Sequence, residues 1–224
     1  MSLTVYYHPL ASFCWKVNIA LYENDTPFTG EIVNLSDKQA SARFFDLWPV
    51  GKMPVLRDAK RERTVPETSI IIEYLDHYYP GPQRLLPQDE ERCLDARLWD
   101  RFFDLYVQTP MQRIVADKMR PENEHDPRAV SEARAVLQMA YGMVERQLTA
   151  RRWAIGDDFS IADCAAAPAL FYASTLVPFT ESHPRAAAYF ERLTQRPSVR
   201  RVLDEARPYF EMYPVREGIP ARFL

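Results

Sequence analysis

Two short segments carry much of the information about how this chain folds: Gly51-Lys52-Met53-Pro54-Val55 and, a little further on, Glu67-Thr68. The first is a turn that leads into apolar residues typical of a strand, and Thr64-Val65 predicts a weaker strand after it. Thr68 then opens a helix, because apolar residues recur behind it at helical spacing, at Ile71, Tyr74, Leu75 and Tyr78. The pattern predicts two strands followed by a helix.

The chain before these segments alternates between strand-like and helix-like pieces. Thr4-Val5-Tyr6-Tyr7 predicts a strand that ends before Pro9, and Glu31 to Leu35 predicts a second one. A helix is predicted between them and a short helix after them, on apolar residues at helical spacing: Cys14, Val17 and Leu21, then Phe44, Phe45 and Leu47. The order is strand–helix–strand, helix, two strands, helix, which is compatible with a thioredoxin-like α/β domain.

The second part of the chain shows a different pattern of secondary-structure signals. Pro80-Gly81-Pro82 breaks the alternation, and almost no strand signal follows it. Apolar stripes at helical spacing recur instead, and Pro110 is expected to kink the helix that carries the first of them, which is formed by Leu94, Leu98, Phe102 and Leu105. We therefore predict an α/β thioredoxin-like N-terminal domain over 1–80, a linker over 81–87, and an all-α C-terminal helical bundle domain over 88–224.

Composition excludes several classes of protein. The 224 residues have a net charge of -3, which argues against a nucleic-acid binder that works by neutralising phosphates. No apolar run is long enough to span a bilayer. The three cysteines are scattered and odd in number, which indicates a reduced, cytoplasmic protein. The four histidines lack the spacing of metal ligands and the six glycines form no phosphate loop, so neither a metal nor a nucleotide is expected.

Three patterns together resemble the cytosolic glutathione transferase family over nearly the whole chain. They are Pro9-x-x-Ser12, the segments Gly51–Val55 and Glu67-Thr68 taken together, and Gly156-Asp157-Asp158-Phe159-Ser160-Ile161-Ala162-Asp163. The resemblance implies a serine-type detoxification enzyme, similar to bacterial theta, zeta or beta members. It also implies glutathione as co-substrate, a homodimer, and a hydrophobic substrate site contributed by the helical domain.

The resemblance assigns the glutathione-binding residues. Met53-Pro54 corresponds to the cis-proline loop of the family, in which the backbone N–H and C=O of Met53 pair with the cysteinyl unit. Thr68, at a helix start that favours a carboxylate, takes the γ-glutamyl carboxylate, and Glu67 helps with the ammonium group. Gln39 and Lys52 align with positions that hold the glycyl carboxylate.

Ser160 and Asp163 have a structural interpretation. A serine followed three residues later by an acidic residue is typical of a capping box at a helix start. We therefore expect this pair to stabilise the helical domain and not to contact substrate.

The transferase reaction requires the glutathione sulfur to be ionised. Ser12 is the predicted hydroxyl donor to the thiolate, with a plain helix cap as the competing interpretation. In many serine-type relatives the hydroxyl would fall at the position of Ala11, and Tyr7 is the alternative donor. Cys14 shares an apolar stripe with Val17 and Leu21, which predicts a core thiol and not a nucleophile.

The second substrate is expected to be a small apolar electrophile bound where the domains meet. Four side chains are candidates for this pocket: Tyr106, Met111, Arg113 and Tyr172. Glutathione transfer is the predicted function, and the sequence leaves open an isomerase or ether-cleaving enzyme that uses the same thiolate. A non-catalytic module that binds glutathione or a partner protein is the remaining alternative.

Overall fold

The computed structural model describes residues 2–224. The first part of the chain forms four strands and three helices. The strands are β1 (Leu3–Tyr7), β2 (Thr29–Ile32), β3 (Val55–Asp58) and β4 (Arg63–Pro66). The helices are α1 (Ser12–Glu23), α2 (Lys38–Leu47) and α3 (Thr68–Tyr78).

One mixed sheet organises this region, with the strand order β2-β1-β3-β4. Strand β1 runs parallel to β2, which follows it through α1, while the β1–β3 and β3–β4 pairs are antiparallel. This arrangement confirms the predicted thioredoxin-like fold. The parallel strands β1 and β2 are connected by a crossover through α1, and β3 and β4 form an antiparallel hairpin, as the order of the elements predicted.

The second strand lies earlier than predicted. The expectation was Glu31 to Leu35, whereas β2 ends at Ile32. The Val33 N–H still donates to the Tyr7 carbonyl at 2.8 Å, but the Ser36 N–H then donates to the Asn34 side chain and turns the chain away. The residues of β2 are all exposed at the sheet edge, so their sequence lacks the alternation that would have marked the strand.

The rest of the chain is helical, which confirms the predicted second domain type. Its α-helices are α4 (Glu90–Phe102), α5 (Thr109–Lys118), α6 (Pro127–Gln147), α7 (Ile161–Ser174), α8 (Pro184–Gln195) and α9 (Pro197–Ala206). A π-helical segment, Phe103–Gln108, joins α4 to α5, and short 3₁₀ turns occupy Glu122–Glu124, Leu148–Ala150, Arg207–Met212, Arg216–Gly218 and Ala221–Phe223. Within residues 2–224, no helix combines the length and apolar character that crossing a membrane requires.

The irregularity expected at Pro110 takes the form of this π segment. Proline lacks an N–H and its ring crowds the carbonyl four residues before it, so the preceding turn widens. The helix from Glu90 to Lys118 continues through the change.

The predicted apolar stripe on α4 divides between core and surface. Phe102 is buried, but Leu94, Leu98 and Leu105 are 63%, 62% and 47% exposed. The face that packs on the core is offset from the predicted one and is formed by Ala96, Trp99, Phe102, Phe103 and Val107. The heptad-like spacing of the leucines therefore marks an apolar surface and not the core.

The segment between α3 and α4 is docked on the helical domain. Leu85 and Leu86 are buried, and the Leu85 carbonyl accepts from the Ile161 N–H at 2.9 Å. The Gln83 side chain donates to the Phe159 carbonyl at 2.9 Å. We retain the division into 1–80, 81–87 and 88–224 as a prediction.

A buried carboxylate fixes the start of α7. Asp163 accepts hydrogen bonds from the backbone N–H and the hydroxyl of Ser160, at 2.8 and 2.9 Å. The bond to the N–H is the one that the third helical residue of a capping box makes to the N-cap residue. Asp163 also accepts from the Ala154 N–H and the Tyr189 hydroxyl. Burial raises the pKa of Asp163 above its usual range even though these bonds favour the carboxylate. The structural role predicted for Ser160 and Asp163 is consistent with this setting.

Asp58 ties the end of β3 to the end of α3. Its fully buried carboxylate accepts from the Tyr74 hydroxyl at 2.8 Å and the Tyr79 hydroxyl at 2.5 Å, and also from the Lys60 and Arg61 N–H groups. Burial alone raises the pKa of Asp58, but the hydrogen bonds outweigh it and hold this pKa below its usual range.

Tyr79→Phe is expected to make the protein less resistant to acid. The stabilisation from Asp58 is present above the ordinary carboxyl pKa and is lost as the pH falls through the lowered one. Removing the Tyr79 bond lowers the free energy of unfolding at pH 7 by about 1–2 kcal/mol and raises the pH at which acid unfolding begins. Urea denaturation across pH 3–7 measures both.

Tyr78→Phe is the matched control, because its hydroxyl makes no hydrogen bond within the described chain, residues 2–224. Equal acid midpoints for Tyr78→Phe and Tyr79→Phe would contradict this account of Asp58.

Candidate functional site

Strand register brings three separate segments to one end of the sheet. Val55 pairs with Tyr6 on one side and with Pro66 on the other. Because both pairs are antiparallel, the residues just before Val55 lie opposite those just after Tyr6 and Pro66. Met53-Pro54 therefore lies between Glu67-Thr68 and the end of β1, from which the chain leads into α1.

Met53 presents free backbone groups in this cluster. The Met53–Pro54 peptide bond is cis, which confirms the prediction, and Met53 itself is half-buried. Neither its N–H nor its C=O forms a hydrogen bond with any other residue of the described range 2–224. A main chain with both groups free can pair with an extended peptide in the manner of an added strand.

The start of α3 offers a second set of free donors. The first N–H of this helix to find an intrahelical acceptor is that of Ile71, which donates to the Glu67 carbonyl. The preceding N–H groups, from Thr68 on, have no acceptor in the described chain. Thr68 is buried, whereas Glu67 is exposed and has φ 66°, a left-handed conformation that costs a non-glycine residue about 1–3 kcal/mol.

Two of the predicted binding residues lie at the surface. Lys52 directly precedes Met53 and is exposed, and Gln39 is exposed on the first turn of α2. Neither side chain forms a hydrogen bond or ion pair with another residue of the part described, so both remain available to a ligand. Their assignment to a carboxylate remains a prediction.

Ser12 is the first residue of α1 and is 6% exposed. The N-cap of this helix is Ala11, and no side chain caps it, so the interpretation of Ser12 as a plain cap does not hold. The Ser12 hydroxyl oxygen instead accepts a hydrogen bond from the side-chain amide of Gln108, at the end of the π segment. Ser12 thus lies where the two domains touch.

Tyr7, the alternative donor, ends β1 and packs against Gly30 of β2. A Cβ at position 30 would come within 2.9 Å of the Tyr7 ring, so this approach requires glycine. Burial and then the charge of Glu205 raise the pKa of Tyr7, so its hydroxyl keeps its proton. Tyr209 of the C-terminal tail stacks edge-on against the adjacent His8 at 5.4 Å.

Cys14 is a core thiol, as predicted. It is fully buried, and burial raises its pKa to about 12. A thiol in this state is inert as a nucleophile.

Two of the four predicted pocket residues are corrected. Met111 and Tyr172 are buried in the helical core, and the Tyr172 hydroxyl donates to the Leu10 carbonyl at 2.9 Å. A side chain enclosed in this way has no surface for a substrate, and Tyr172 serves to join the domains. Tyr106 and Arg113 are exposed, so their assignment to the pocket stays a prediction.

Sequence reasoning missed a buried charge network beside the site. The Lys16 ammonium lies 2.6 Å from the Asp100 carboxylate and 2.8 Å from that of Asp104, with all three side chains buried. Ser69, next to Thr68, accepts from Lys16 at 3.0 Å and donates to Asp100 at 2.6 Å. The network joins α1, α3 and α4, and thereby fixes the start of α3 relative to the helical domain.

Burial of Asp104 raises its pKa, and the charge of Asp100 adds to this effect. Lys16 and Arg101 oppose the rise without cancelling it. The only signals for this network in the sequence are a lysine within the apolar stretch Cys14–Leu21 of α1, which is otherwise interrupted only by Asn18, and two acidic residues one helical turn apart. Within residues 2–224, no group of histidine, cysteine and acidic side chains is arranged to hold a metal ion.

The fold and the site define a class of protein: a thioredoxin-like domain with unpaired backbone groups at one end of its sheet, joined to a helical bundle. Two family models match the chain, the glutathione S-transferase N-terminal domain over residues 5–83 and the glutathione S-transferase C-terminal domain over residues 102–197. The chain belongs to the glutathione S-transferase family and is a glutathione S-transferase-like enzyme.

Individual relatives extend over most of the chain. Dichloromethane dehalogenase of Methylorubrum extorquens is 27% identical, covering 90% of this chain and 74% of its own. A stringent starvation protein A homolog of Haemophilus ducreyi is 30% identical, covering 82% and 81%. The crystal structure of a glutathione S-transferase from Methylobacterium radiotolerans in complex with glutathione sulfonate is 26% identical, with a TM-score of 0.79 over 89% of this chain and 93% of that one.

Lys16→Met is expected to destabilise the protein by about 3–5 kcal/mol, because it removes the buried ammonium group between Asp100 and Asp104 and leaves only the largely exposed Arg101 beside Asp104. The loss is smaller at pH 5 than at pH 8, since the pKa of Asp104 rises further and protonation then relieves the unpaired charge. Chemical denaturation at the two pH values measures the difference.

Adding Asp100→Asn and Asp104→Asn to Lys16→Met removes both charges and abolishes the difference between pH 5 and pH 8. A loss that is equal at both pH values in the single variant would contradict the proposed role of the carboxylates.

Proposed function

We propose that this enzyme binds glutathione along Met53-Pro54 and Thr68 and stabilises its thiolate for attack on a small apolar electrophile. The observation that carries the proposal is the pairing register, in which free backbone groups of Met53 lie opposite the free N–H groups at the start of α3. One strand-like edge and one anion-favouring helix start are what a tripeptide with a terminal carboxylate needs.

Each end of glutathione has a counterpart. The γ-glutamyl carboxylate is received by the Thr68 hydroxyl and the N–H groups of α3, and Glu67 faces the ammonium group. The cysteinyl unit pairs with Met53, and the glycyl carboxylate lies toward Lys52 and Gln39. The glutathione sulfonate complex of the relative from Methylobacterium radiotolerans supports a site of this kind.

The free energy needed to lower the pKa of the glutathione thiol is modest. A free thiol has a pKa of about 8.5, so bringing it near 6.5 requires about 2.7 kcal/mol. A hydroxyl that donates to a charged acceptor supplies roughly 1.5–3 kcal/mol, and the start of α1 adds about 0.3–1 kcal/mol. Ser12 in this position therefore suffices without a metal or a general base.

The electrophile is expected to be small and apolar, and to enter beside Tyr106 and Arg113. The dehalogenase relative, whose name gives dichloromethane as substrate, supports a small halogenated carbon compound. Isomerisation or ether cleavage by the same thiolate remains an alternative. A member of the same fold that binds glutathione or a partner protein without catalysing transfer is the second candidate.

Ser12→Ala is expected to lower turnover with a general electrophile by about tenfold or more, since it removes a hydrogen bond to a charged acceptor. The pKa of bound glutathione rises by about one to two units, toward that of the free thiol, while affinity for glutathione is nearly unchanged. Ultraviolet titration of the thiolate and the pH profile of turnover measure these changes.

Tyr7→Phe is the companion variant and is expected to leave the thiol pKa in place. An unchanged pKa in Ser12→Ala would exclude Ser12, and a shift in Tyr7→Phe would then assign the donor to Tyr7. Saturable glutathione binding without turnover of any electrophile would favour the partner-binding candidate.

We also propose that the enzyme is a homodimer in which the helical domain of one subunit meets the thioredoxin-like domain of the other. The exposed leucines of α4, Leu94 and Leu98, form an apolar surface of the kind that monomers seldom leave in water. The first domain exposes Phe45 and Val50 as apolar partners. A cytoplasmic location remains part of the proposal, supported by the free thiols of Cys14, Cys93 and Cys164.

Leu94→Glu combined with Leu98→Glu is expected to convert the dimer to a monomer, because it buries two unpaired charges in the interface. Size-exclusion chromatography with light scattering gives the mass directly. Met139→Glu is the control, since it changes an exposed apolar residue on α6 and keeps the dimer. A dimeric double variant or a monomeric parent protein would contradict the assignment.

A further inference from the structure

Gln108 is a buried polar residue that the chemistry described so far leaves without a role. It ends the π segment and is 2% exposed. Its amide nitrogen donates to the Ser12 hydroxyl oxygen, and its amide oxygen has no partner among residues 2–224. A buried amide oxygen without a donor is costly, and exceptions of this kind call for an explanation in function.

Gln108 belongs to a polar seam between α1 and the helix that faces it. Ser12 and Lys16 lie one turn apart on α1, and they meet Gln108 and Asp104 respectively. Lys16 also contacts Asp100, so a higher residue number on α1 is matched by a lower residue number on the facing helix. The two elements are therefore antiparallel along this seam.

The π segment keeps Gln108 in line with this seam. In an α-helix, residues four apart drift by about 40° around the axis, so the side chains at 100, 104 and 108 would leave a common face. A π turn holds more residues and each one rotates less, which offsets the drift. The wide turn from Phe103 to Gln108 thus returns the amide to Ser12.

A hydroxyl has one hydrogen to donate and two lone pairs that accept. With the Gln108 N–H on one lone pair, the Ser12 hydrogen must point elsewhere, and no acceptor for it lies within residues 2–224. A donated hydrogen bond also polarises the hydroxyl and strengthens the bond that it gives in turn.

We propose that Gln108 is a positioning residue that holds the Ser12 oxygen as an acceptor and so directs the Ser12 proton to the substrate sulfur. The inference rests on the proposed function, because it concerns how Ser12 stabilises the thiolate. Gln108 itself does not contact the sulfur in this account. The reverse amide orientation, in which Gln108 accepts the Ser12 proton, would instead withdraw that proton from the thiolate.

Two substitutions at Gln108 separate these arrangements. Gln108→Met keeps the shape and removes the donor, so the pKa of bound glutathione rises by about half a unit. Gln108→Glu presents only acceptors, so it captures the Ser12 proton and raises that pKa further. Gln112→Met, on the exposed side of α5, is the matched control and leaves the pKa unchanged. Thiolate absorbance of the glutathione complex against pH is the measurement.

The thermal stability of Gln108→Met and its combination with Ser12→Ala distinguish a positioning role from a merely structural one. Gln108→Met also removes the unpartnered oxygen, so the thermal midpoint stays within a few degrees of the parent value. In a Ser12→Ala background, Gln108→Met has no further effect on the thiol pKa, because the group that it positions is gone.

Each outcome decides the inference. A Ser12→Ala shift without any shift in Gln108→Met or Gln108→Glu would overturn the role of Gln108 alone. A lowered pKa in Gln108→Met would show that the amide withdraws the proton, which also overturns it. No shift in Ser12→Ala would overturn the proposed thiolate donor and with it the inference.

Discussion

Helix α1 is buried on nearly every side, between the sheet and the helical bundle, and the charge of Lys16 must therefore be paired inside the protein. From Cys14 to Leu21 every residue is buried, including Lys16. Burial of an unpaired ammonium group would cost several kcal/mol, and Asp100 and Asp104 remove that cost only if the helical domain is docked. The same docking brings Gln108 to Ser12. This buried seam thus fixes the start of α1 against the helical domain, together with the hydrogen bond from Tyr172 to the Leu10 carbonyl.

The site at the end of the sheet uses backbone groups more than charged side chains. Met53 contributes a free strand-like edge, and α3 contributes free N–H groups beside a buried Thr68. These groups are held in place by the β3–β4 register on one side and by Ser69, through Lys16 and Asp100, on the other. The free N–H groups at the start of α3 favour an anion there, and the Lys16 ammonium that bonds to Ser69 is already paired with Asp100 and Asp104.

The sequence predicted the fold well because its signals are local. Apolar spacing in α1, α3 and α6 and the capping residues of α7 depend on neighbours in the chain, whereas the cis bond at Met53–Pro54 was expected from the resemblance to the family. The β2 strand was misplaced because an exposed edge strand has no apolar alternation, and the exposure of the α4 leucines was not predicted because spacing alone does not say which apolar face is covered. The Lys16 network and the Ser12–Gln108 contact join residues far apart in the chain. A single sequence does not show which distant residues pair, and it does not show that Met111 and Tyr172 are buried.

The central claim is that a glutathione molecule is bound by the main chain of Met53 and the start of α3. Isothermal titration calorimetry of the full-length protein with reduced glutathione tests it most directly. We predict saturable heat for one tripeptide per subunit, together with a higher thermal midpoint in its presence. An absence of both heat and thermal shift at millimolar glutathione would contradict the account of this site.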